Sequence, residues 1–400
     1  FRYIVKRIIK IMNIAFLLRL WPVYGGGETV TISLANEMVK RGHSITIFYF
    51  KDSNAGGAGY INSSIKAVKI SNIECDEYHY NSNDSIKIAI FFKTFYQIDS
   101  FDFLINQWWP VVFLSPLRDI LKAKIVSVHH TALYTRSLIE GFYLKSILKR
   151  IFLPIYRLHE KERQLSVIDN LLIFSDKVLF LSPLFQNQYM QLRKPKSIEK
   201  IDWCYNPLTF NDFISAKEYG EKKKEVLFVG RLLESNKKIL KLLTIWKIIQ
   251  LDKELSDWSL FIVGEGKDKL FYINFVNVNN IPNVHFEGQQ YPVPYYRRAS
   301  IFAMTSAFEG FPMSIIEAQQ NGVVPIVMNS FLSVHDTIDN DINGILIPYG
   351  NITMFANSLK SLMKDDLRRN RLALKGLDTC KRFKIETVVD RWENILREMN

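Results

Sequence analysis

One stretch in the second half of the chain, residues 306–318, has the sequence SAFEGFPMSIIEA. It lies between two apolar runs of strand length, Ile301–Met304 and Val323–Val327. Pro312 suits the first turn of a helix and Gly322 suits a helix end, so the pattern predicts a strand, a loop, a helix and a second strand. In an open parallel sheet, ligands bind where such loops leave the carboxyl ends of the strands. The chain is therefore expected to have an α/β fold with a ligand site beside this loop.

The start of the predicted helix, Met313–Ser314, leaves backbone N–H groups without helical partners and carries the positive end of the helix dipole, which favours a phosphate. Glu309 in the loop and Glu317 about one turn into the helix could accept hydrogen bonds from sugar hydroxyls around that phosphate. This combination suggests a nucleotide sugar. On spacing alone, the better interpretation is a solvated Glu317 and a Glu309 that caps the loop.

A glycine-rich turn follows the first predicted strand, Met12–Leu18, and precedes a periodic helix that ends near Arg41. The turn lets the backbone approach a ligand closely and presents N–H groups to an anion. It lacks the GxGxxG spacing of a dinucleotide-binding fingerprint. A simple tight turn is an equally good interpretation of its glycines, which are Gly25, Gly26 and Gly27.

Cations follow another predicted strand, which begins at Glu225 and delivers Gly230 and Arg231 at its carboxyl end. Lys237 and Lys238 come shortly afterwards. An arginine and a lysine that converge on one strand end could hold a diphosphate and neutralise its charge as it leaves. Without further context, a solvated lysine pair is the default interpretation.

Two histidines follow the predicted strand Lys124–His129. A histidine at the carboxyl end of a parallel strand points into the cleft in this topology. We expect either His129 or His130 to lie there and favour His129 because it ends the strand. The alternative for each is a packed or surface histidine.

Together these motifs resemble those of retaining glycosyltransferase family 4, whose signature is S-x-x-E-G-F-P followed by E-A, with seven residues between the two glutamates. This chain matches the signature at Ser306, Glu309, Gly310, Phe311, Pro312, Glu317 and Ala318. Three further family motifs are matched, namely a G-G-x-E turn at residues 25–28, F-V-G-R-L at 228–232 and V-G-x-G at 263–266. The resemblance is specific from residue 225 to 350 and weak from 51 to 205.

The resemblance implies the GT-B fold, in which two Rossmann-like, doubly wound α/β domains face a cleft. The first domain, residues 1–205, would bind the acceptor. The second, residues 206–385, would bind the nucleotide-sugar donor. A last helix, residues 386–400, would cross back onto the first domain. A length of 400 residues also favours two domains.

The resemblance further implies a retaining, metal-independent hexosyltransferase with no tightly bound cofactor and a UDP- or GDP-sugar donor. Arg231 and Lys237 would hold the diphosphate, and Glu309 would bind hydroxyls of the transferred sugar. His129 or His130 would complete the sugar site. The family usually has glycine after its lysine, so the choice between Lys237 and Lys238 stays open. The expected donor-binding residues are Gly25, Gly26, Gly27, Gly230, Lys238, Gly264, Gly288, Gly310, Phe311, Pro312, Met313, Ser314 and Glu317.

Charge and composition suggest where such a protein works. Residues 1–205 hold 27 Lys and Arg against 17 Asp and Glu, whereas residues 206–400 hold 25 against 23. A basic half suggests an anionic partner such as a membrane surface, and no nucleic-acid-binding motif is present. Segment 136–163 alternates apolar and basic residues, so it is either an interfacial helix or a core-facing helix with a basic side. Pro154 is expected to kink or divide it.

The expected acceptor is a lipid-linked saccharide of a bacterial surface polysaccharide such as capsule or lipopolysaccharide. The expected location is cytoplasmic, peripheral on the inner face of the cell membrane. Three widely spaced cysteines favour a reducing compartment. The basic, apolar residues 1–10 show no cleavable signal and are either a misassigned start or an unstructured extension. Alternative functions are a nucleotide-sugar epimerase of the same fold and a non-catalytic scaffold derived from a transferase.

Overall fold

The computed structural model of the protein describes residues 10–22, 26–53, 60–75, 79–95, 100–133 and 153–399. Predictions made for residues 1–9, for Gly25 and for residues 136–152 fall outside these described residues. The described part forms two larger parallel sheets, each with flanking helices, and a pair of very short strands. This confirms the predicted α/β fold with two doubly wound domains.

The first sheet is assembled from the first half of the chain. Its strands and the short pair are β1 Asn13–Leu17, β2 Leu20–Trp21, β3 Ser44–Tyr49, β4 Lys51–Asp52, β5 Lys66–Lys69, β6 Phe103–Asn106, β7 Lys124–His129, β8 Lys177–Phe180 and β9 Ile201–Trp203. The order across the sheet is β5-β3-β1-β6-β7-β8-β9, and all neighbours are parallel. The strand β2 pairs with β4 separately.

The second sheet is assembled from the second half of the chain. Its strands are β10 Glu225–Val229, β11 Ser259–Val263, β12 Val284–Gly288, β13 Ile301–Met304, β14 Val324–Asn329 and β15 Ile345–Pro348. Their order is β12-β11-β10-β13-β14-β15, again with parallel neighbours. The proposed boundary between domains at residue 205 lies between β9 and β10 and stays a prediction.

Helices cover the faces of both sheets. In chain order they are α1 Gly26–Lys40, α2 Asp84–Thr94, α3 Val111–Ile120, α4 Leu153–Phe174, α5 Pro183–Arg193, α6 Ala216–Tyr219, α7 Glu234–Lys237, α8 Ile239–Ile249, α9 Lys269–Val278, α10 Val293–Arg298, α11 Met313–Gln320, α12 Ile352–Lys364, α13 Asp366–Thr379 and α14 Ile385–Met399. Short 3₁₀ helices occur at Ile198–Lys200, Lys253–Leu255, Leu332–Asp336 and Cys380–Phe383.

The central strands are continuous apolar runs because helices cover the sheet on both faces. Every residue of β6 and of β13 is buried, and β1 is buried from Ile14 onward. This is why the sequence predicted β1 and β13 correctly to within one or two residues. The same burial leaves their carboxyl ends as the places where polar residues can meet a ligand.

Two short strands carry little signal in the sequence. The strand β9 lies beyond β8 at the edge of the first sheet. The strand β4 has only two residues, Lys51 and Asp52. Both strands are too short to show an alternating pattern, and their pairing depends on neighbours that are distant in sequence.

The last helix packs on the first domain, as predicted. The buried residues Val388, Trp392 and Leu396 of α14 belong to the same apolar core as β1 and α1. The guanidinium of Arg41 donates to Asp390 over 2.6 Å, and the Nε2 atom of His43 lies 3.2 Å from the Glu393 carboxylate. The C-terminal residues therefore complete the core of a domain whose sheet ends at residue 203.

Only part of the predicted segment 136–163 can be compared with the structure. Residues 153–163 are helical and open α4, with Pro154 in the first described turn, where proline is tolerated. The side chains of Ile155 and Leu158 are 68% and 60% exposed. At least this part of the segment therefore does not direct all of its apolar residues toward the core.

Replacing Trp392 with alanine is expected to destabilise the first domain by about 3–5 kcal/mol, because a large buried ring leaves a cavity. Urea denaturation followed by far-ultraviolet circular dichroism would measure the loss. The exposed Glu398 of the same helix provides the control, and Glu398→Ala is expected to change little. Equal stability of Trp392→Ala and the wild type would show that α14 does not stabilise the first domain.

Candidate functional site

The strand order of the second sheet reverses beside β10, since β11 lies on one side of it and β13 on the other. Ligands bind in the crevice outside the carboxyl ends of strands at such a switch point. A cleft of about 600 Å³ opens there. Of the residues predicted from the sequence, those that line it are Gly230, Arg231, Lys237, Gly264, Glu309, Phe311, Pro312, Met313, Ser314 and Glu317.

Two of the residues that line this cleft form an ion pair with each other. The Nζ atom of Lys237 lies 2.6 Å from Oε1 of Glu309, and the two side chains are only 15% and 12% exposed. Removing one member of a poorly hydrated pair leaves the other charge uncompensated, which is costly. The cleft lysine and the loop glutamate therefore neutralise one another.

The backbone fixes both members of the pair. The amide of Ala307 donates to the carbonyl of Asn236 over 2.7 Å. The hydroxyl of Thr305 lies 3.2 Å and 3.0 Å from the carbonyl oxygens of Lys237 and Lys238. These bonds tie the turn after α7 to the loop after β13, so the two chain segments present their charges in a fixed relative position.

Lys238 differs from its neighbour in both conformation and position. Its backbone is left-handed, with φ 53° and ψ 44°, a conformation that glycine adopts most easily. Its side chain is buried and is not among the residues that line the cleft. Residue 238 therefore corresponds to the glycine that the family usually has after its lysine, because both need a left-handed backbone. The residue before it, Lys237, is the lysine that lines the cleft.

The helix α11 begins at the cleft, and Pro312, Met313 and Ser314 line the cleft at that end. Pro312 precedes the first helical residue, where the absence of an N–H group costs nothing. Backbone N–H groups and the positive end of the helix dipole at this point favour an anion in the cleft.

Glu317 is one turn further along α11 and lines the same cleft. The hydroxyl of Tyr296 donates to its Oε2 atom over 3.0 Å, and the hydroxyl of Thr209 donates to Oε1 over 3.4 Å. Burial raises the pKa of Glu317 to about 7, although both hydroxyls favour the carboxylate. Glu317 is therefore a cleft carboxyl and not the solvated helix residue of the alternative interpretation.

Two glycine turns meet on the other side of the cleft. A Cβ atom at Gly264 would lie 1.9 Å from the carbonyl oxygen of Gly230, so no larger residue fits there. The amide of Gly264 donates over 2.7 Å to the carbonyl of Gly288, which itself is not in the cleft lining. Gly288 thus supports the turn and does not form the wall.

Neither predicted histidine is in the cleft lining. The Nε2 atom of His130 lies 2.6 Å from Oε1 of Gln107, and its ring stacks on Trp108 with centroids 4.1 Å apart. The Nε2 atom of His129 lies 3.2 Å from the hydroxyl of Thr131. Burial lowers the pKa of His129 to about 4 and that of His130 to about 3, so both rings are neutral at pH 7.

The loop of Glu309 nevertheless touches one of these histidines. A Cβ atom at Gly310 would lie 1.9 Å from the carbonyl oxygen of His130, which places the two backbones in direct contact. His130 is therefore next to the loop that carries Glu309, whereas the sequence analysis favoured His129. Gly310 itself serves this close approach and does not line the cleft.

The early glycine turn also differs from expectation. Gly26 and Gly27 are the first residues of α1 and not part of a loop, and Gly25 lies outside the described residues. Among the described residues of the first domain, Thr29 of α1 appears in the cleft lining. The first domain thus faces the cleft through the beginning of a helix.

Several lining residues carried no signal in the sequence. Thr209 and Phe210 come from the segment between the sheets, and Asn236, Glu265 and Pro292 come from turns of the second domain. Their participation depends on how the chain folds back. Only Thr209 and Phe210 could have been suspected, because they follow the Asn-Pro turn at residues 206–207.

No group of three or more His, Cys, Asp or Glu side chains in the described ranges is arranged to hold a metal ion. Among the helices of the same ranges, none combines the length and apolar character needed to span a membrane.

Comparison with known proteins places this geometry in context. Residues 210–377 match the model of the family "Glycosyl transferases group 1". An undecaprenol-linked saccharide α-1,4-N-acetyl-D-galactosaminyltransferase of Campylobacter jejuni is 25% identical over 94% of this chain and 96% of its own length. The amylovoran biosynthesis glycosyltransferase AmsD of Erwinia amylovora is 28% identical, over 44% of this chain and about half of its own length.

Solved structures show the same fold. TarM superposes with a TM-score of 0.75 at 13% identity and covers 97% of this chain and 99% of its own. The Anabaena protein HepE, solved in complex with UDP, superposes with a TM-score of 0.70 at 16% identity over 97% and 100% of the two chains. Residues 210–377 of this protein therefore match the glycosyl transferases group 1, within a chain that has the GT-B fold.

Proposed function

We propose that this protein is a retaining glycosyltransferase that moves a sugar from a nucleoside-diphosphate sugar to a hydroxyl of a lipid-linked saccharide. The observation that carries the proposal is the convergence of Arg231, Lys237 and the start of α11 with the carboxyls of Glu309 and Glu317 in one cleft. Cations and N–H groups fit a diphosphate, and carboxylates fit hydroxyls. A nucleotide sugar contains both kinds of group.

Arg231 and Lys237 would stabilise the diphosphate as it leaves. When the bond between the sugar and the phosphate breaks, negative charge grows on the phosphate oxygens. Fixed cations and helix N–H groups aimed at those oxygens lower the barrier without reorganising during the reaction. The start of α11 adds the positive end of a helix dipole to the two side chains.

Glu309 would bind hydroxyls of the transferred sugar. Its carboxylate is paired with Lys237. A donor diphosphate would share the ammonium of Lys237, and the Glu309 oxygens would then accept hydrogen bonds from the sugar. We assign Glu309 to donor binding and not to nucleophilic attack. The acceptor hydroxyl would attack on the face from which the diphosphate leaves, and a phosphate oxygen would take its proton.

Two comparisons support the choice of substrates. The Campylobacter jejuni relative, by its name, transfers N-acetylgalactosamine to a saccharide carried by undecaprenol, and it aligns with nearly the whole chain. HepE binds UDP in the same fold. We therefore propose a UDP-sugar donor and a lipid-linked acceptor in the assembly of a bacterial surface glycan.

A lipid-linked acceptor would be met at a membrane, on its cytoplasmic face. The exposed residues Ile86 and Ile90 lie on α2, which also carries the exposed Lys87 and Lys93. Apolar and basic side chains on one surface helix favour a layer of anionic lipid. We propose that α2, together with the exposed start of α4, brings the protein to the inner membrane surface as a peripheral enzyme.

Replacing Arg231 with alanine is expected to weaken the binding of UDP about 10- to 100-fold, because a hydrogen bond to a charged group contributes about 1.5–3 kcal/mol. Calorimetric titration with UDP and with GDP would measure it. Arg371→Ala removes an exposed arginine of α13 as a control and is expected to change nothing. Binding of neither nucleotide by the wild type would contradict the donor site and favour a non-catalytic scaffold.

Retention predicts that the sugar released first has the same anomeric configuration as the donor. Proton NMR can follow the anomeric signal while the protein turns over whichever UDP-sugar it accepts, with water or a saccharide as acceptor. Arg231→Ala supplies the background rate. First appearance of the opposite anomer, before the free sugar equilibrates, would contradict a retaining mechanism.

The membrane proposal predicts that vesicles containing phosphatidylglycerol retain the protein at low salt and release it at about 1 M salt, where the Debye length is about 3 Å. Sedimentation with the vesicles would measure this. Ile86→Glu with Ile90→Glu should abolish retention, whereas Leu367→Glu with Leu374→Glu, at exposed positions of α13, should not. No retention of the wild type at low salt would refute this part of the proposal.

A further inference from the structure

The carboxyl of Glu317 is held by two hydroxyl groups from outside its own helix. Tyr296 belongs to α10 and is fully buried, and its hydroxyl lies 3.0 Å from Oε2. Thr209 belongs to the segment that connects the two sheets, and its hydroxyl lies 3.4 Å from Oε1. Each oxygen of the carboxylate therefore has one hydroxyl donor. Neither hydroxyl belongs to the signature that pointed to Glu317.

The backbone of Tyr296 is fixed independently of Glu317. Its amide donates to the carbonyl of Pro292 over 3.0 Å, and its own carbonyl accepts a hydrogen bond of 2.8 Å from the ammonium of Lys222. The ring packs near those of Phe210 and Phe302. A hydroxyl presented from such a fixed ring selects one orientation of the carboxylate it bonds.

We propose that Tyr296 and Thr209 are positioning residues, which keep Glu317 charged and directed at the ribose diol of the donor. The inference rests on the proposed function and adds two residues to its donor site. Hydroxyl donors are needed because a buried carboxylate without hydrogen bonds is strongly disfavoured relative to the neutral acid. Each carboxylate oxygen has further lone pairs, so the diol can donate to the same group.

The charged groups around Glu317 do not replace these hydroxyls. Arg231 lines the same cleft, and the ammonium of Lys222 donates to the carbonyls of Tyr296 and Asn321. Three further cations of the surrounding elements form ion pairs with other carboxylates, namely Lys237 with Glu309, Arg297 with Glu218 and Arg298 with Glu225. The two hydroxyls are thus the groups that favour the charged form of Glu317, against the burial that raises its pKa to about 7.

The sign of the pH dependence follows from this balance. The ribose diol donates hydrogen bonds to the carboxylate, so UDP binds the deprotonated form of Glu317. The Kd of UDP therefore rises as the pH falls through about 7. Without the Tyr296 hydroxyl, the pKa of Glu317 moves further upward. Since one hydrogen bond to a charged group corresponds to about one pKa unit or more, the midpoint of the binding profile should rise by about one pH unit.

The experiment measures the Kd of UDP by calorimetry from pH 5.5 to pH 9 for the wild type, Tyr296→Phe and Thr209→Val. Tyr295→Phe is the matched control, because Tyr295 donates to Glu287 instead. The terminal phosphate of UDP also titrates near pH 6. 2′,3′-Dideoxy-UDP has the same phosphates without the diol, so the difference between the two ligands isolates the ribose contact.

The expected result is a higher midpoint for Tyr296→Phe, a smaller shift in the same direction for Thr209→Val, and no shift for Tyr295→Phe. The two shifts should disappear with 2′,3′-dideoxy-UDP. If Tyr296→Phe raised the Kd of UDP by the same factor at every pH, or left its pH profile unchanged, the positioning role would be overturned while the donor site stayed intact. Failure of the wild type to bind UDP at any pH would instead refute the proposed function.

Discussion

The cleft depends on hydrogen bonds that the amide of Ala307 and the hydroxyl of Thr305 donate to backbone carbonyls of the turn at residues 236–238. The turn follows β10 and the loop follows β13, the two strands that meet where the strand order reverses. Without these bonds, the cation of one segment and the carboxylate of the other would be carried by loops free to move separately. The pairing of Lys237 with Glu309 over 2.6 Å depends on that connection.

The cleft combines charges of both signs in a small, poorly hydrated space. Such an arrangement is stable only when each charge has a partner, and the protein supplies partners from its own side chains. Glu309 is paired with a cation, whereas Glu317 accepts hydrogen bonds from two neutral hydroxyls. The two carboxyls therefore have different kinds of partner, although they lie on one loop and the helix that follows it. A diphosphate brings new negative charge and would redistribute these contacts.

Sequence patterns predicted the central strands, the loop after β13 and the cations after β10, because each of these features is local in the chain. The choice between Lys237 and Lys238 needed the backbone conformation, since only the structure shows which position is left-handed. The hydrogen bonds from Tyr296 and Thr209 to Glu317 could not be predicted. Thr209 is 108 residues from Glu317 in sequence, and only tertiary packing brings it there. The edge strand β9 was missed because three residues show no pattern.

The position of α14 has a consequence for how the chain acquires its structure during synthesis. Residues of the first sheet leave the ribosome early, and domains generally fold in that order. Here Val388, Trp392 and Leu396 complete the core around β1, yet they are made after the strands of the second sheet, β10 to β15. The apolar surface that they cover stays exposed until the second domain has emerged. The first domain of a nascent chain is therefore incomplete until residues 388–396 have been made.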